Sequence, residues 1–184
     1  MGEPGSPVTA LIEAAAAGNM GAFSEIVRLY RMRVLRVACG IVGSVEEAED
    51  VAQEVFVKLW NSLPNYQAQS AFDSWLYRVT VNAAIDALRR RRPALSLEDE
   101  LAHTTREPPE EAALRNETRQ RVQQAIRALP EAARAALILR EYEQLSYKQI
   151  ADVLQIPIGT VMSRLNYARQ LLRKSLDPQS LERR

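Results

Sequence analysis

The sequence predicts an all-α protein, built from two small helical modules that are joined by a flexible acidic linker. Residues that favour helices, above all Ala, Leu, Arg and Glu, dominate the 184 positions. Apolar residues recur at steps of three and four along most of the chain, which is the helical period. No run of alternating β-branched and aromatic residues stands between Asn-Gly or Asp-Gly turns, so strands are not expected.

The composition narrows the classes of function. Hydrophobic residues make up 47 % of the chain, which permits a packed core. Cys39 and His103 are the single residues of their types, which excludes an internal disulfide and a zinc site of the usual Cys/His kind. No apolar stretch reaches the roughly 18 residues of a membrane span. We therefore predict a cytoplasmic protein with no cofactor, no metal and no membrane insertion, in which Cys39 is a small core residue rather than a redox-active thiol.

Charge is distributed unevenly along the chain, although the net charge is only +1. Residues 1–93 are neutral, residues 94–118 carry −5 and residues 119–184 carry +6. Such segregation indicates modules with different partners. We predict an N-terminal module at 1–93, an acidic linker at 94–116 and a C-terminal module at 117–184.

The first long helix of the N-terminal module is predicted from one apolar face. Its members are Phe23, Ile26, Val27, Tyr30, Val34, Val37 and Ile41. Gly40 and Gly43 are expected to end this helix.

Two further helices follow in the N-terminal module, and each opens on a capping-box pair. Ser44 and Glu47 open one, which Pro64 stops, and Ser70 and Asp73 open the other. The predicted core of the former is Ala48, Val51, Ala52, Val55, Phe56 and Leu59. The predicted core of the latter is Phe72, Leu76, Val79 and Ala83.

The third helix also carries a second, polar face. Steps of four, four and three place on one exposed side Arg78, Asn82, Asp86 and Arg89. The helix ends in four arginines at 89–92; the helix dipole accounts for one or two of them but less easily for four. Basic residues beside Trp75, Tyr77 and Asn82 suit unstacked single-stranded bases, although a core position is the simpler interpretation of Trp75 alone.

The C-terminal module is predicted to end in a helix-turn-helix. Its first helix is lined by Val122, Ile126 and Leu129, and Pro130 suits the first turn of the next, whose inward residues are Leu137, Ile138 and Tyr142. Ser146 and Gln149 form a capping box, and residues 155–157 form the turn. The predicted core of the two final helices is Ile150, Ala151, Leu154, Val161, Leu165, Ala168, Leu171 and Leu172.

The last helix is of a kind that enters a DNA major groove. Thr160, Ser163 and Arg164 lie near its start, where such a helix meets base edges. Further along, Arg169, Arg173 and Lys174 are placed to meet phosphates. An αα-hairpin with a solvated basic face is the alternative, and the +6 charge of the module favours nucleic acid.

An acidic face marks the second helix, where Asp50, Gln53, Glu54 and Val57 point outward together. As metal ligands they would form a weak site without histidine. As general acid and base they lack a predicted cleft. A solvated face and a protein-docking face both remain open on these residues alone.

Three blocks together resemble the extracytoplasmic-function (ECF) group of bacterial RNA polymerase sigma factors. They read AEDVAQEVFVKLW at 48–60, AFDSWLYRVTVNAAIDALRRRRP at 71–93, and LPEAARAALILREYEQLSYKQIADVLQIPIGTVMSRLNYAR at 129–169. With the acidic linker, the resemblance covers residues 8–176. It implies a non-enzymatic transcription initiation factor that binds core RNA polymerase and directs it to promoter DNA.

The resemblance also implies roles for individual residues. Core binding, to the clamp helices of the β′ subunit, is assigned to Asp50, Gln53 and Glu54. The promoter minus-ten element is assigned to Trp75, Arg78, Asn82, Arg89, Arg90, Arg91 and Arg92. The minus-thirty-five element is assigned to Thr160, Met162, Ser163, Arg164, Tyr167, Arg169, Arg173 and Lys174. Many relatives carry basic residues where this chain has Met162 and Tyr167, so a relative's preferred sequence does not transfer.

The implied partners are core polymerase, with a second contact on the β flap, promoter DNA and an anti-sigma factor, and the chain is expected to be a monomer outside the holoenzyme. The linker is expected to thread the polymerase near its active-site cleft and RNA exit path. Two other classes are kept as alternatives: a helix-turn-helix regulator that acts without polymerase, and an enzyme with a metal on the acidic helix.

Overall fold

In the computed structural model, residues 7–65, 72–91 and 110–177 are described, and they form eight α-helices with no strand among them. The helices are α1 (Pro7–Ala16), α2 (Met20–Val42), α3 (Val45–Ser62), α4 (Phe72–Arg91), α5 (Glu110–Arg127), α6 (Glu131–Glu141), α7 (Tyr147–Leu154) and α8 (Ile158–Leu176). A short 3-10 turn, Leu63–Asn65, follows α3. The all-α prediction is confirmed. None of these helices is long and apolar enough to cross a membrane.

Helix α2 is the centre of the N-terminal module, since α1, α3 and α4 all pack on it. Most of its predicted apolar face is buried, with Ile26, Val37 and Ile41 fully enclosed. Phe23 and Val27 are half-buried at the edge of this face. The helical period therefore located the core of the module correctly.

Local capping fixes the ends of α2 and the start of α3. The Asn19 side chain accepts a hydrogen bond from the Ala22 N–H at 3.0 Å, and the Ser44 hydroxyl accepts one from the Glu47 N–H at 3.4 Å. Gly43 closes α2 in the left-handed conformation, with φ 83°. The Ser70 half of the cap predicted for α4 lies outside the described residues.

The interpretation of Gly40 as a helix end was wrong. Gly40 lies inside α2, where it makes room for α6. A Cβ at this position would lie 2.7 Å from Cδ1 of Ile138, a fully buried side chain of α6. The glycine serves close approach between the two modules.

In the C-terminal module, α6 packs against α7 and α8, and α5 also packs against α8. The capping box is present, because the Ser146 N–H donates to Gln149 Oε1 at 2.8 Å while the Ser146 hydroxyl accepts from the Gln149 N–H at 3.3 Å. Gln155 forms the turn in the left-handed conformation, with φ 54°. Among the predicted core residues of α8, Val161, Leu165 and Ala168 are buried.

The structure of the C-terminal module differs from the expectations at two places. Residues 110–116, predicted as part of the linker, belong to α5, because that stretch contains no proline or glycine to prevent a helix. Tyr142, expected to face inward, is 42 % exposed, since α6 ends at Glu141 and its period no longer applies.

The two modules pack directly against each other. Helix α6 lies on α2, and α7, the first helix of the helix-turn-helix, lies on α4. Within this contact, Ile138 of α6 lies against Gly40 of α2. This contact joins the module of α4 to the module of α8, the two helices that are predicted to read the promoter.

Candidate nucleic-acid interface

The acidic face of α3 exposes three of its four predicted residues, among them Val57 at 60 %. Asp50 and Gln53 are exposed. Glu54 is half-buried and accepts hydrogen bonds from Lys58 Nζ at 2.6 Å and from Arg90 Nη2 at 3.3 Å. The hydrogen bond from Lys58, and to a lesser degree that from Arg90, lowers the pKa of the Glu54 carboxyl.

A groove of about 270 Å³ runs beside this face, between α2 and α3. Its floor is apolar and is formed by Val27, Leu35, Ala52 and Phe56. Gln53 stands on its rim, together with a loose ion pair of 3.8 Å between Arg31 and Glu49. An apolar floor with a polar rim is the usual anatomy of a protein-docking site. The sequence alone did not reveal the groove, because the groove needs two helices in register.

The arginines that end α4 are exposed but engaged in ion pairs. Arg91 Nη1 lies 3.4 Å from a Glu47 carboxylate oxygen, while Arg90 binds Glu54. Arg89 Nε lies 3.5 Å from Glu131 Oε2, which belongs to the other module. The arginines of these pairs are exposed, whereas the carboxylates are partly buried and Glu131 is only 15 % exposed. Solvent-screened pairs contribute only about 0–1 kcal/mol each, so a phosphate can most readily replace Glu47 or Glu54. Arg92 lies outside the described residues.

The polar face of α4 is present as predicted for three of its four residues. Asn82, Asp86 and Arg89 are exposed, whereas Arg78 is half-buried. Trp75 is also half-buried, and its ring stacks on Phe72 with the centroids 6.3 Å apart. This helix therefore offers an exposed amide and a partly accessible indole on the stretch that leads to the arginines.

Helix α8 presents a mixed apolar and polar face to solvent. Met162 is 49 % exposed and Tyr167 48 %, and Ser163 is exposed beside them. Ile158, one turn before Met162, is also half exposed, and it was not among the residues predicted to contact DNA. Thr160 is half-buried and its carbonyl accepts the Ser163 hydroxyl at 3.0 Å.

The basic residues of α8 differ in how exposed they are and in whether they are paired with a carboxylate. Arg173 and Lys174 are exposed, while Arg164 is half-buried. Arg169 Nη2 lies 3.2 Å from Glu141 Oε1. Hydrogen bonds to Tyr147 and then to Glu141 raise the pKa of Arg169. These hydrogen bonds hold the Arg169 side chain against its own module. A role for Arg169 on phosphate therefore requires an exchange of partners.

Comparison with known proteins gives two family matches on one chain. The model of Sigma-70 region 2 matches residues 26–94, and that of Sigma-70, region 4 matches residues 119–172. Together these cover more than half of the sequence. The chain belongs to the ECF sigma factors of the sigma-70 family.

Named relatives agree with this assignment. The RNA polymerase sigma-H factor of Pseudomonas aeruginosa is 42 % identical over 91 % of this chain and 93 % of its own length. The ECF RNA polymerase sigma factor SigW of Bacillus subtilis is 33 % identical over 86 % and 91 %. The ECF RNA polymerase sigma-E factor of Escherichia coli K12 is 36 % identical over 91 % and 93 %.

Solved structures share the fold of this sigma factor. CnrH, solved in complex with the cytosolic domain of CnrY, superposes with a TM-score of 0.69 at 26 % identity, over 91 % of this chain and 96 % of CnrH. The sigma factor RpoE of Bartonella quintana, solved with the anti-sigma factor NepR, gives 0.66 at 23 % identity, over 85 % and 97 %. Region 2 thus corresponds to α2–α4, and region 4 to the second half of α5 through α8.

One buried polar group in this sigma factor was missed by sequence reasoning. The Glu143 carboxylate, just after α6, accepts hydrogen bonds from the Tyr77 hydroxyl and from Arg36 Nε. These partners lie 66 and 107 residues earlier, so no local pattern predicts them. Burial, and then the hydrogen bond to Glu143, raise the pKa of Tyr77. Within the three described ranges, no three His, Cys, Asp or Glu side chains gather as a metal site.

Proposed function

We propose that this chain binds core RNA polymerase and directs it to promoters, reading the minus-ten element with residues 1–93 and the minus-thirty-five element with residues 117–184. The observation that carries the proposal is the pair of matches to regions 2 and 4 on one chain. The fold supports it, because α3, α4 and α8 each expose a face suited to one of these tasks.

Core binding is assigned to the acidic face of α3 and the groove beside it. Asp50 and Gln53 provide exposed polar groups, and the apolar floor provides area that a partner helix can cover. Negative charge at the rim favours a basic partner surface and mainly speeds the encounter. The β′ clamp helices are the proposed partner.

Minus-ten recognition is assigned to α4. Asn82 is free to hydrogen-bond an unstacked base, and Trp75 offers part of its ring for stacking. The arginines at 89–92 are assigned to phosphates, and Arg89, Arg90 and Arg91 exchange their carboxylate partners for DNA. Arg90 shares Glu54 with Lys58, so contact of polymerase with Glu54 also frees this arginine for DNA.

Minus-thirty-five recognition is assigned to α8 in a major groove. Ser163 and Arg164 are placed to meet base edges, and Arg173 and Lys174 to meet phosphates. Met162 and Ile158 add apolar surface near the start of the helix, which suits the methyl group of thymine. This chain therefore reads its element with fewer charged contacts than relatives that carry basic residues at 162 and 167.

The remaining partners follow from family membership. The acidic residues 94–116 are proposed to thread the polymerase near its active-site cleft, and region 4 to contact the β flap. An anti-sigma protein is the proposed regulator, by analogy with RpoE of Bartonella quintana, which was solved in complex with the anti-sigma factor NepR. Action with polymerase implies a cytoplasmic protein that is monomeric when free.

Promoter-specific initiation by the purified chain with core RNA polymerase tests the proposal. Transcripts that begin at defined sites are expected with both components and with neither alone. Asp50→Arg is expected to lower core binding at least about tenfold, because one like-charge contact at an interface costs more than 1.4 kcal/mol. Glu25→Arg, which reverses an exposed carboxylate on α2, is the matched control and keeps binding. Tight, selective operator binding by the chain alone would instead indicate a conventional regulator.

A further inference from the structure

We infer that Ile158, Met162 and Asn166 form one row on α8 that selects A·T base pairs in the major groove, through the methyl group of thymine and the hydrogen-bonding edge of adenine. These three residues are called the reading row. Asn166 thereby joins the residues assigned to the minus-thirty-five element. The inference rests on the proposed function, because it names the bases that α8 reads within that element.

The exposed face of α8 is uncharged over its first three turns. Within residues 158–168, all of which are described, the exposed residues are Ile158, Gly159, Met162, Ser163, Asn166 and Tyr167. Arg164 is the charged residue of this stretch, and it is half-buried. Arg173 and Lys174 are exposed, but they lie in the last turn. Because arginine and lysine are the usual readers of guanine, a neutral face favours A·T over G·C pairs.

The spacing of the reading row suits a short run of base pairs. Its members are four residues apart, so each lies about 6 Å along the helix axis from the next. The whole row spans about 12 Å, which corresponds to about four base pairs at roughly 3.4 Å per pair. Each step of four residues turns the side chain by only about 40° around the axis, so all three members face one groove.

The side chains of the row offer the contacts that distinguish an A·T pair. Ile158 is 50 % exposed and Met162 is 49 % exposed, although both side chains are apolar. Thymine is marked in the major groove by its C5 methyl group, which apolar side chains contact. Asn166 is exposed one turn after Met162. Its amide nitrogen can donate to adenine N7 while its amide oxygen accepts from adenine N6.

A glycine beside the row supports close approach to the bases. Gly159 lies in the first turn of α8. Beyond its own helix backbone and its two chain neighbours, a Cβ added there would meet no heavy atom of the described residues within 4 Å. Packing therefore does not require this glycine, in contrast to Gly40, although glycine is a poor helix former. A glycine at such a position lets the backbone approach a ligand closely, and the ligand here is the wall of the groove.

Sequence selection by the holoenzyme tests the reading row on the full chain. The chain and core RNA polymerase are mixed with a promoter, located by transcript mapping, whose minus-thirty-five region is randomised, and the bound DNA is sequenced. The parent is expected to select A·T pairs within a run of about four base pairs. Asn166→Ala is expected to lose the preference for adenine at one position by at least about fivefold. Met162→Ala is expected to lose the preference for thymine at a different position of the same run.

Replacement of thymine by uracil tests the methyl contact directly. At the position that Met162→Ala affects, uracil removes the C5 methyl group and keeps the base pair. The parent holoenzyme is expected to bind the uracil promoter about fourfold more weakly, which is the loss expected for one buried methyl group. Met162→Ala is expected to bind both promoters equally. Met32→Ala, which truncates an exposed methionine of α2, is the matched control and keeps the difference.

Gly159→Ala separates approach to DNA from stability. The added methyl group has space within the chain and favours the helix, so the melting temperature is expected to stay the same or to rise. Binding to the selected promoter is nevertheless expected to fall severalfold, because the methyl group holds α8 away from the groove. Binding equal to that of the parent would contradict the close approach on which the row depends.

The possible outcomes distinguish this inference from the proposed function. Selection of G·C pairs by the parent, or a uracil effect that persists in Met162→Ala, would overturn the inference and leave promoter-directed initiation intact. Equal binding of every randomised sequence would assign the exposed face of α8 to a protein partner and would also overturn it. If the parent chain with core polymerase selected no promoter at all, the proposed function and the inference would fail together.

Discussion

Replacing Arg134 by lysine is expected to destabilise the protein by about 2–4 kcal/mol, although the positive charge is retained. Arg134 is 7 % exposed, and its guanidinium donates to Ile41 O at 2.5 Å, to Leu129 O at 2.9 Å and to Arg127 O. Two of these carbonyls lie in the last turns of α2 and α5, where no intrahelical donor is available. The Arg134 guanidinium therefore caps the C-terminal ends of both α2 and α5.

The magnitude follows from the number of hydrogen bonds lost. A hydrogen bond to a charged group contributes about 1.5–3 kcal/mol, and a lysine ammonium on a flexible stem keeps about one of the three. Partial hydration of the freed carbonyls reduces the loss of two bonds to about 2–4 kcal/mol. For a chain of this size the melting temperature is expected to fall by about 5–15 °C.

Thermal and urea denaturation followed by circular dichroism measure this loss. Arg140→Lys is the control on the same helix, because Arg140 donates one backbone hydrogen bond, to Leu145 O at 2.8 Å, and is only half-buried. It is expected to cost about 1 kcal/mol or less. Equal stability of Arg134→Lys and the parent, within about 0.5 kcal/mol, would refute the reasoning that the planar guanidinium stabilises these two helix ends.

Two further predictions concern a cap and a surface carboxylate. Ser146→Ala removes the capping box of α7 and is expected to cost about 1 kcal/mol in thermal denaturation, with no change in the N-terminal module. Glu54 has a lowered pKa in the folded chain, chiefly through Lys58 and then Arg90, so its contribution to stability is complete above the ordinary carboxyl value and is lost as the pH falls through the folded value. Denaturation midpoints of Glu54→Gln and the parent are therefore expected to differ at pH 7 and to converge in acid; a difference that is independent of pH would contradict this.

Much of the fold was predictable because its determinants are close in sequence. Along the apolar face of α2, each residue lies within about one turn of the next, and the capping box joins Ser146 to Gln149, three residues on. Gly43 was correctly expected to end α2, since its left-handed conformation depends only on the local chain. Gly40 was misinterpreted because its role depends on Ile138, almost a hundred residues away.

The sequence predicted on which helices the candidate residues lie, but it did not predict which of them are paired with other side chains. The sequence placed four arginines at the end of α4, and the structure places Arg89, Arg90 and Arg91 there. It gave no sign that Glu47, Glu54 and Glu131 hold them, because two of these carboxylates come from α3 and one from α6. Charge counted along a chain indicates which module binds an anion, whereas pairing in space decides whether the charge is free to do so.

This pairing also limits DNA binding by the free chain. Phosphate contacts supply most of the nonspecific affinity of a protein for DNA. In the free chain each described arginine at the end of α4 already has a carboxylate partner, so binding DNA there is an exchange whose net gain is small. A partner that covers Glu54 frees Arg90 for phosphate, which is what core RNA polymerase is proposed to do.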